Sequence, residues 1–136
     1  MATIDPHSAL IYTMVLVSAA DRDMTDAELK TIGEVVQYLP VFDGYDVDRL
    51  TDTTGACAEL LAGPDGLDRT LDLIVASIPE KLRETAYAVA CDVAAADGQA
   101  SQEELRVLEI LRYRLQVGRL PAAAIERGAR ARHQRL

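Results

Sequence analysis

Seven carboxylates in this chain lie in a segment that occurs twice. Ala19-Ala20-Asp21-Arg22-Asp23-Met24-Thr25-Asp26-Ala27-Glu28-Leu29 returns as Ala95-Ala96-Asp97-Gly98-Gln99-Ala100-Ser101-Gln102-Glu103-Glu104-Leu105. Asp21, Asp23 and Glu28 crowd one short corner, and Asp97 and Glu104 crowd the other. Carboxylates at that density repel one another unless a cation sits among them, and hard oxygen ligands suit Ca2+ or Mg2+. Neither copy is an EF-hand. Numbered from Asp21, the sixth loop position holds Asp26 where glycine is required, and the twelfth holds Ile32 where glutamate is required. Numbered from Asp97, the same positions hold Gln102 and Leu108.

A second explanation competes with the cation. Thr25-x-x-Glu28 and Ser101-x-x-Glu104 each match a capping box, in which the hydroxyl and the carboxylate satisfy backbone N–H groups reciprocally. Thr25 and Ser101 are therefore expected structural caps. Asp26, Glu103 and both box glutamates also fall where a helix dipole favours negative charge. Asp21 and Asp97 are less easily explained, because they close an apolar helix at the end where an anion is disfavoured. Turn formation accounts for them without a ligand; a bound cation accounts for them with one. On the residues alone both readings stand. Asp92, in the otherwise apolar stretch 88–94, is expected to face solvent or a neighbouring arginine, since a buried carboxylate needs a partner.

Helices must position these corners. No segment alternates with period two over the length of a strand, and helical signals cover nearly the whole chain. Asp5-Pro6 opens a first helix that runs through about Ala20. The second follows Thr25, with Leu29, Ile32, Val35, Val36 and Leu39 on one face, and Pro40 stops it. A third is expected from about Asp46 to Ala62, burying Val47, Leu50, Thr54, Cys57 and Leu61. Gly63-Pro64-Asp65-Gly66 breaks the chain. A fourth spans about Leu67 to Ser77. The fifth covers Glu80 to Ala96, with Leu82, Ala86, Val89, Ala90 and Val93 inward. The sixth follows Ser101, with Leu105, Leu108, Leu111 and Leu115 inward, and ends at Gly118. A seventh begins near Pro121 and is expected to fray after Gly128. Short connections imply an all-α fold: one compact bundle of about seven helices over residues 1–136, in two pseudo-symmetric halves.

The net charge of −8 is unevenly spread. The segment after Gly118 carries five arginines and one glutamate, a balance of +4 that leaves −12 on the rest. The basic residues 118–136 read as a solvated C-terminal helix whose arginines suit its own dipole or the acidic body. An acidic body repels nucleic acid and anionic membranes and attracts cations or a basic protein partner. No nucleic-acid partner is expected, and a chain with one Phe and no Trp offers no stacking platform for bases. The apolar run Ala9 to Ala20 is too short to span a bilayer and lacks the basic start of a signal peptide, so no stable membrane insertion and a cytoplasmic location are expected. Cys57 and Cys91, far apart with no CxxC, read as buried thiols rather than a disulfide or zinc site. His7 and His133 lie near opposite ends. No GxSxG, P-loop, HExxH or Rossmann fingerprint occurs, and a non-enzymatic protein is expected.

Two copies of Ala-Ala-Asp-x-x-x-[Thr/Ser]-x-x-Glu-Leu in an acidic helical domain resemble the TerB family of tellurite-resistance proteins. The resemblance covers about Ser8 to Leu115 and is closer in the second copy, Ala94 to Glu104. It implies a bundle with two related halves, a role in metal or oxyanion stress response, no known catalytic activity, and acidic clusters proposed to bind divalent cations. By position the implied ligands are Asp21 and Glu28 with Asp97 and Glu104. The first copy departs from the pattern: Arg22 stands where the second has Gly98, and is expected to neutralise Asp21 or Asp23. The alternative function is a helical adaptor that docks a basic partner, with the corners acting only as caps.

Overall fold

A computed structural model describes residues 2–22 and 24–136. Among the described residues there are seven α-helices and no strand: α1 (Pro6–Ser18), α2 (Asp26–Tyr38), α3 (Leu50–Ala62), α4 (Gly66–Ser77), α5 (Arg83–Ala95), α6 (Gln102–Arg114) and α7 (Arg119–Arg132). Short 3-10 turns occupy Pro40–Phe42, Val47–Arg49 and Glu80–Leu82.

α1 begins where the sequence places its cap. The Asp5 carboxylate accepts from the Ser8 amide at 2.9 Å, and Pro6 fills the first helical position. Every residue from Ser8 to Ser18 is buried. A helix apolar all round must lie at the centre of a bundle. α1 packs against α2, α3, α4, α5 and α6, and α5 packs against α1, α2, α6 and α7. These two helices form the core, with Leu10, Ile11, Met14, Leu71, Ile74 and Leu111 fully buried around them. Each such side chain contributes about 1.5–3 kcal/mol. α2 touches α5, and α6 touches α1, so each half reaches across to the other's central helix. That cross-packing is what brings the two corners together.

The loop Gly63–Gly66 is as tight as its composition requires. A Cβ on Gly66 would stand 2.0 Å from the Leu61 carbonyl oxygen.

Several inward positions differ from expectation. Val47 is 52% exposed, because residues 47–49 form a separate 3-10 turn and α3 starts only at Leu50. Thr53 rather than Thr54 is buried beside the fully buried Cys57. Leu29 and Leu105 are 48% and 49% exposed. The inward stripe of α2 is Glu28, Ile32, Val35 and Val36, and that of α6 is Glu104, Val107, Leu108 and Leu111. Each box glutamate takes the buried slot, and the leucine after it, about 100° round the helix, is turned outward.

α7 starts at Arg119 and continues to Arg132 instead of fraying after Gly128. Its tail is tied to α5: Arg132 Nη2 lies 2.6 Å from Asp92 Oδ1, and Arg135 Nη2 donates to the Ala96 carbonyl at 3.1 Å. Asp92 thus meets an arginine, with His133 Nε2 at 3.4 Å as a further neighbour. Among the described residues no helix is long and apolar enough to cross a membrane.

Candidate functional site

Both capping boxes are formed. At the first corner the Glu28 amide donates to Thr25 Oγ1 at 3.2 Å, and the Thr25 amide donates to Glu28 Oε1 at 3.0 Å. At the second, the Glu104 amide donates to Ser101 Oγ at 3.1 Å, and the Ser101 amide donates to Glu104 Oε1 at 2.9 Å.

Capping does not account for where the carboxylates lie. N3 glutamates need only reach one backbone N–H, yet Glu28 is 1% exposed and Glu104 is 2% exposed. Burial makes every oxygen need a donor. Glu28 Oε1 has a second one, the fully buried Ser18 hydroxyl, at 3.2 Å. The position equivalent to Ser18 in the second repeat is Ala94, which has no hydroxyl. Among the described residues, Glu104 Oε2 is buried with no hydrogen-bond partner. Its carboxylate neighbour is Glu28, which when ionised can only accept. A hydrogen bond between the two exists only when a proton sits between them. Burial first, and then Glu28, push the Glu104 carboxyl up to about 8.

The two corners open into one cleft of about 570 Å3, lined by Asp21, Thr25, Glu28, Asp97, Ser101 and Glu104. Asp21 is half-buried, and its charge adds to the load on Glu104. Asp97 is exposed at the rim, where its Oδ1 accepts from the Gln99 amide at 3.3 Å. The expected ligands Asp21, Glu28, Asp97 and Glu104 are therefore brought to one place. Asp23 lies outside the described residues. Among the described residues no three carboxylate, thiol or imidazole groups form a ready-made metal cage.

The remaining chemistry-bearing residues sit elsewhere. Arg22 adopts the left-handed conformation, φ 63°, in the turn where Gly98 has φ 89°. It lines a separate pocket with Met24 and Leu67, and among the described residues it makes no ion pair; its other expected partner, Asp23, lies outside the described residues. Cys57 and Cys91 are free and buried, and burial raises each thiol to about 12.

Sequence reasoning missed Ser18 and the convergence of the corners. Ser18 carried a readable signal: a hydroxyl in an apolar helix, ten residues before the box glutamate, with alanine at the repeat-equivalent position.

A family model described as "Tellurite resistance protein TerB" matches residues 7–127. The chain belongs to the TerB family. The match runs from the second residue of α1 through α6, and so over both corners of the TerB domain, and stops within α7. Comparisons with curated proteins and with solved structures found no match.

Proposed function

We propose that this TerB domain binds one divalent cation, Ca2+ or Mg2+, in the cleft shared by its two repeats, as a sensor, buffer or structural site in metal or oxyanion stress response rather than as an enzyme. One observation carries the reading: Glu104 Oε2 is buried, lacks a donor, and stands beside a second buried carboxylate. A cation supplies the partner that Glu104 Oε2 lacks. Glu28 and Glu104 would be its principal ligands, with Asp21 and Asp97 nearer the opening. With so few protein ligands the ion keeps several waters, which suits hydrated Mg2+ and the flexible coordination of Ca2+.

The test is a Ca2+ and Mg2+ titration of the chain, followed by amide NMR and thermal melting. Expected shifts centre on Glu28, Ser101 and Glu104 from both halves at once. A hundredfold excess over the dissociation constant stabilises by about 2.7 kcal/mol. Unchanged shifts and melting at millimolar cation would overturn the reading. The corners would then be caps around a shared proton, and the adaptor function, with a basic partner on the acidic body, would take its place.

A further inference from the structure

Ser18 lies behind Glu28, outside the lining of the acidic cleft, yet it acts on a carboxylate at the cleft's centre. Its fully buried hydroxyl donates to Glu28 Oε1 at 3.2 Å, and the Thr25 amide donates to the same oxygen at 3.0 Å. Each carboxylate oxygen carries two lone pairs, so Glu28 Oε1 is full and only Oε2 is left for a ligand. Glu104 differs. Among the described residues its Oε1 accepts from the Ser101 amide alone, and its Oε2 has no partner. With alanine at position 94, that carboxylate is free to offer both oxygens to one ion.

The number of available oxygens separates the two candidate ions. Ca2+ gathers about six to eight oxygens, and a glutamate that gives both of its own is a characteristic ligand. Mg2+ gives up its waters reluctantly and is held through one or two carboxylates. Of the four carboxylates lining the cleft, only Glu28 and Glu104 are buried; Asp21 is half-buried, and Asp97 stands exposed with Oδ1 engaged by the Gln99 amide. Without the Ser18 hydroxyl, Glu28 would keep a lone pair on Oε1 and could chelate as Glu104 can. With it, one of the two buried ligands is restricted to a single oxygen. The cleft, about 570 Å3, has room for the waters that Mg2+ retains.

On the reading that the cleft holds a divalent cation, we propose that Ser18, by filling Glu28 Oε1, makes it select Mg2+ over Ca2+. Ser18 is a positioning residue: it touches Glu28 and not the ion.

The experiment is calorimetric titration of the full chain with MgCl2 and, separately, CaCl2, with amide NMR shifts to place the binding in the cleft. Wild type should bind Mg2+ several-fold tighter than Ca2+. Ser18→Ala gives the first repeat the second repeat's residue and frees the lone pair on Glu28. It should weaken Mg2+ and strengthen Ca2+, moving the ratio of the two dissociation constants by roughly tenfold, the low end of what a hydrogen-bonding partner of a metal ligand is worth. A merely structural role for Ser18 would weaken both ions alike. The proposal is overturned if wild type binds Ca2+ as tightly as Mg2+, or if Ser18→Ala leaves the ratio unchanged. The wild-type ranking decides the matter where Ser18→Ala fails to fold. Binding of neither ion by wild type is a different failure: it removes the cation reading itself, and the role of Ser18 with it.

Discussion

In the first repeat Glu28 accepts from both the Thr25 amide and the Ser18 hydroxyl, whereas in the second Glu104 accepts from the Ser101 amide alone, because Ala94 stands where the serine would be. The caps are the same; the interior surroundings of the carboxylates are not. A capping box satisfies an N–H and one carboxylate oxygen, and is indifferent to the other oxygen so long as water can reach it. Here the helix turns its N3 residue inward, water is excluded, and a surface device becomes an interior polar pair. Glu28 Oε1 takes two donors from the protein, whereas Glu104 Oε2 depends on a proton or a cation.

The largest expected effect comes from removing the unsatisfied charge. Glu104 titrates near 4.5 in the unfolded chain and is pushed up to about 8 in the fold. Its folded value is raised, so below about pH 4.5 both states hold the proton and its contribution to stability is intact. Between 4.5 and 8 the unfolded chain releases its proton while the folded chain retains it, and in chelator stability falls as pH rises through that window. Glu104→Gln should flatten the fall and, above pH 8, raise stability by on the order of 1–3 kcal/mol, the cost of an unsatisfied buried group. The glutamine keeps the acceptor for Ser101 and offers Glu28 a donor. Urea denaturation across pH checks this; a Glu104→Gln profile parallel to wild type would mean that the fold already satisfies Glu104.

The caps should behave alike in both halves. Thr25→Ala and Ser101→Ala are each expected to cost about 1 kcal/mol, with or without divalent cation, as judged by denaturation midpoints. A cost that vanished in one half would show that its box is not holding the corner. The comparison sharpens with Ala94→Ser, which gives the second repeat the first repeat's hydroxyl. It should stabilise the chain in chelator by about 1 kcal/mol, the worth of one hydrogen bond, and should shrink the stabilisation gained from Ca2+ or Mg2+. Destabilisation by Ala94→Ser would place the added oxygen out of reach of Glu104.

Much of the fold was legible because helix signals are local. Asp5-Pro6, Pro40, Gly63-Pro64 and the two boxes mark starts and stops by backbone chemistry that acts within a few residues. The inward faces were read less well, because hydrophobicity ranked Leu29 and Leu105 above Glu28 and Glu104. Tertiary packing reversed that order. The α1–α5 core, with α2 and α6 crossing to the opposite half, points the box position rather than the next one at the centre. The four carboxylates at 21, 28, 97 and 104 were identifiable from their repetition. Their meeting in one cleft was not, since no local pattern tells how two halves 76 residues apart are stacked. The stop of α7 was misjudged for a related reason: Gly128 weakens the helix locally, and Arg132 and Arg135 hold it from a distance.

The smallest expected effect tests whether the first corner's departure from the repeat matters. Arg22 and Gly98 occupy the same left-handed turn position, φ 63° and 89°. An L-residue there costs roughly 1–2 kcal/mol, and glycine removes that strain but gives back about 0.5–1 kcal/mol as unfolded-state entropy. Arg22→Gly should therefore stabilise the chain by only about 0.5 kcal/mol. Because Arg22 lines the pocket beside Met24 and not the acidic cleft, the substitution should leave the response to Ca2+ and Mg2+ unchanged. A several-fold gain in cation affinity would break this account. It would mean that Arg22 swings over to shield the first corner in solution, and that the two repeats differ in charge as well as in the one missing hydroxyl.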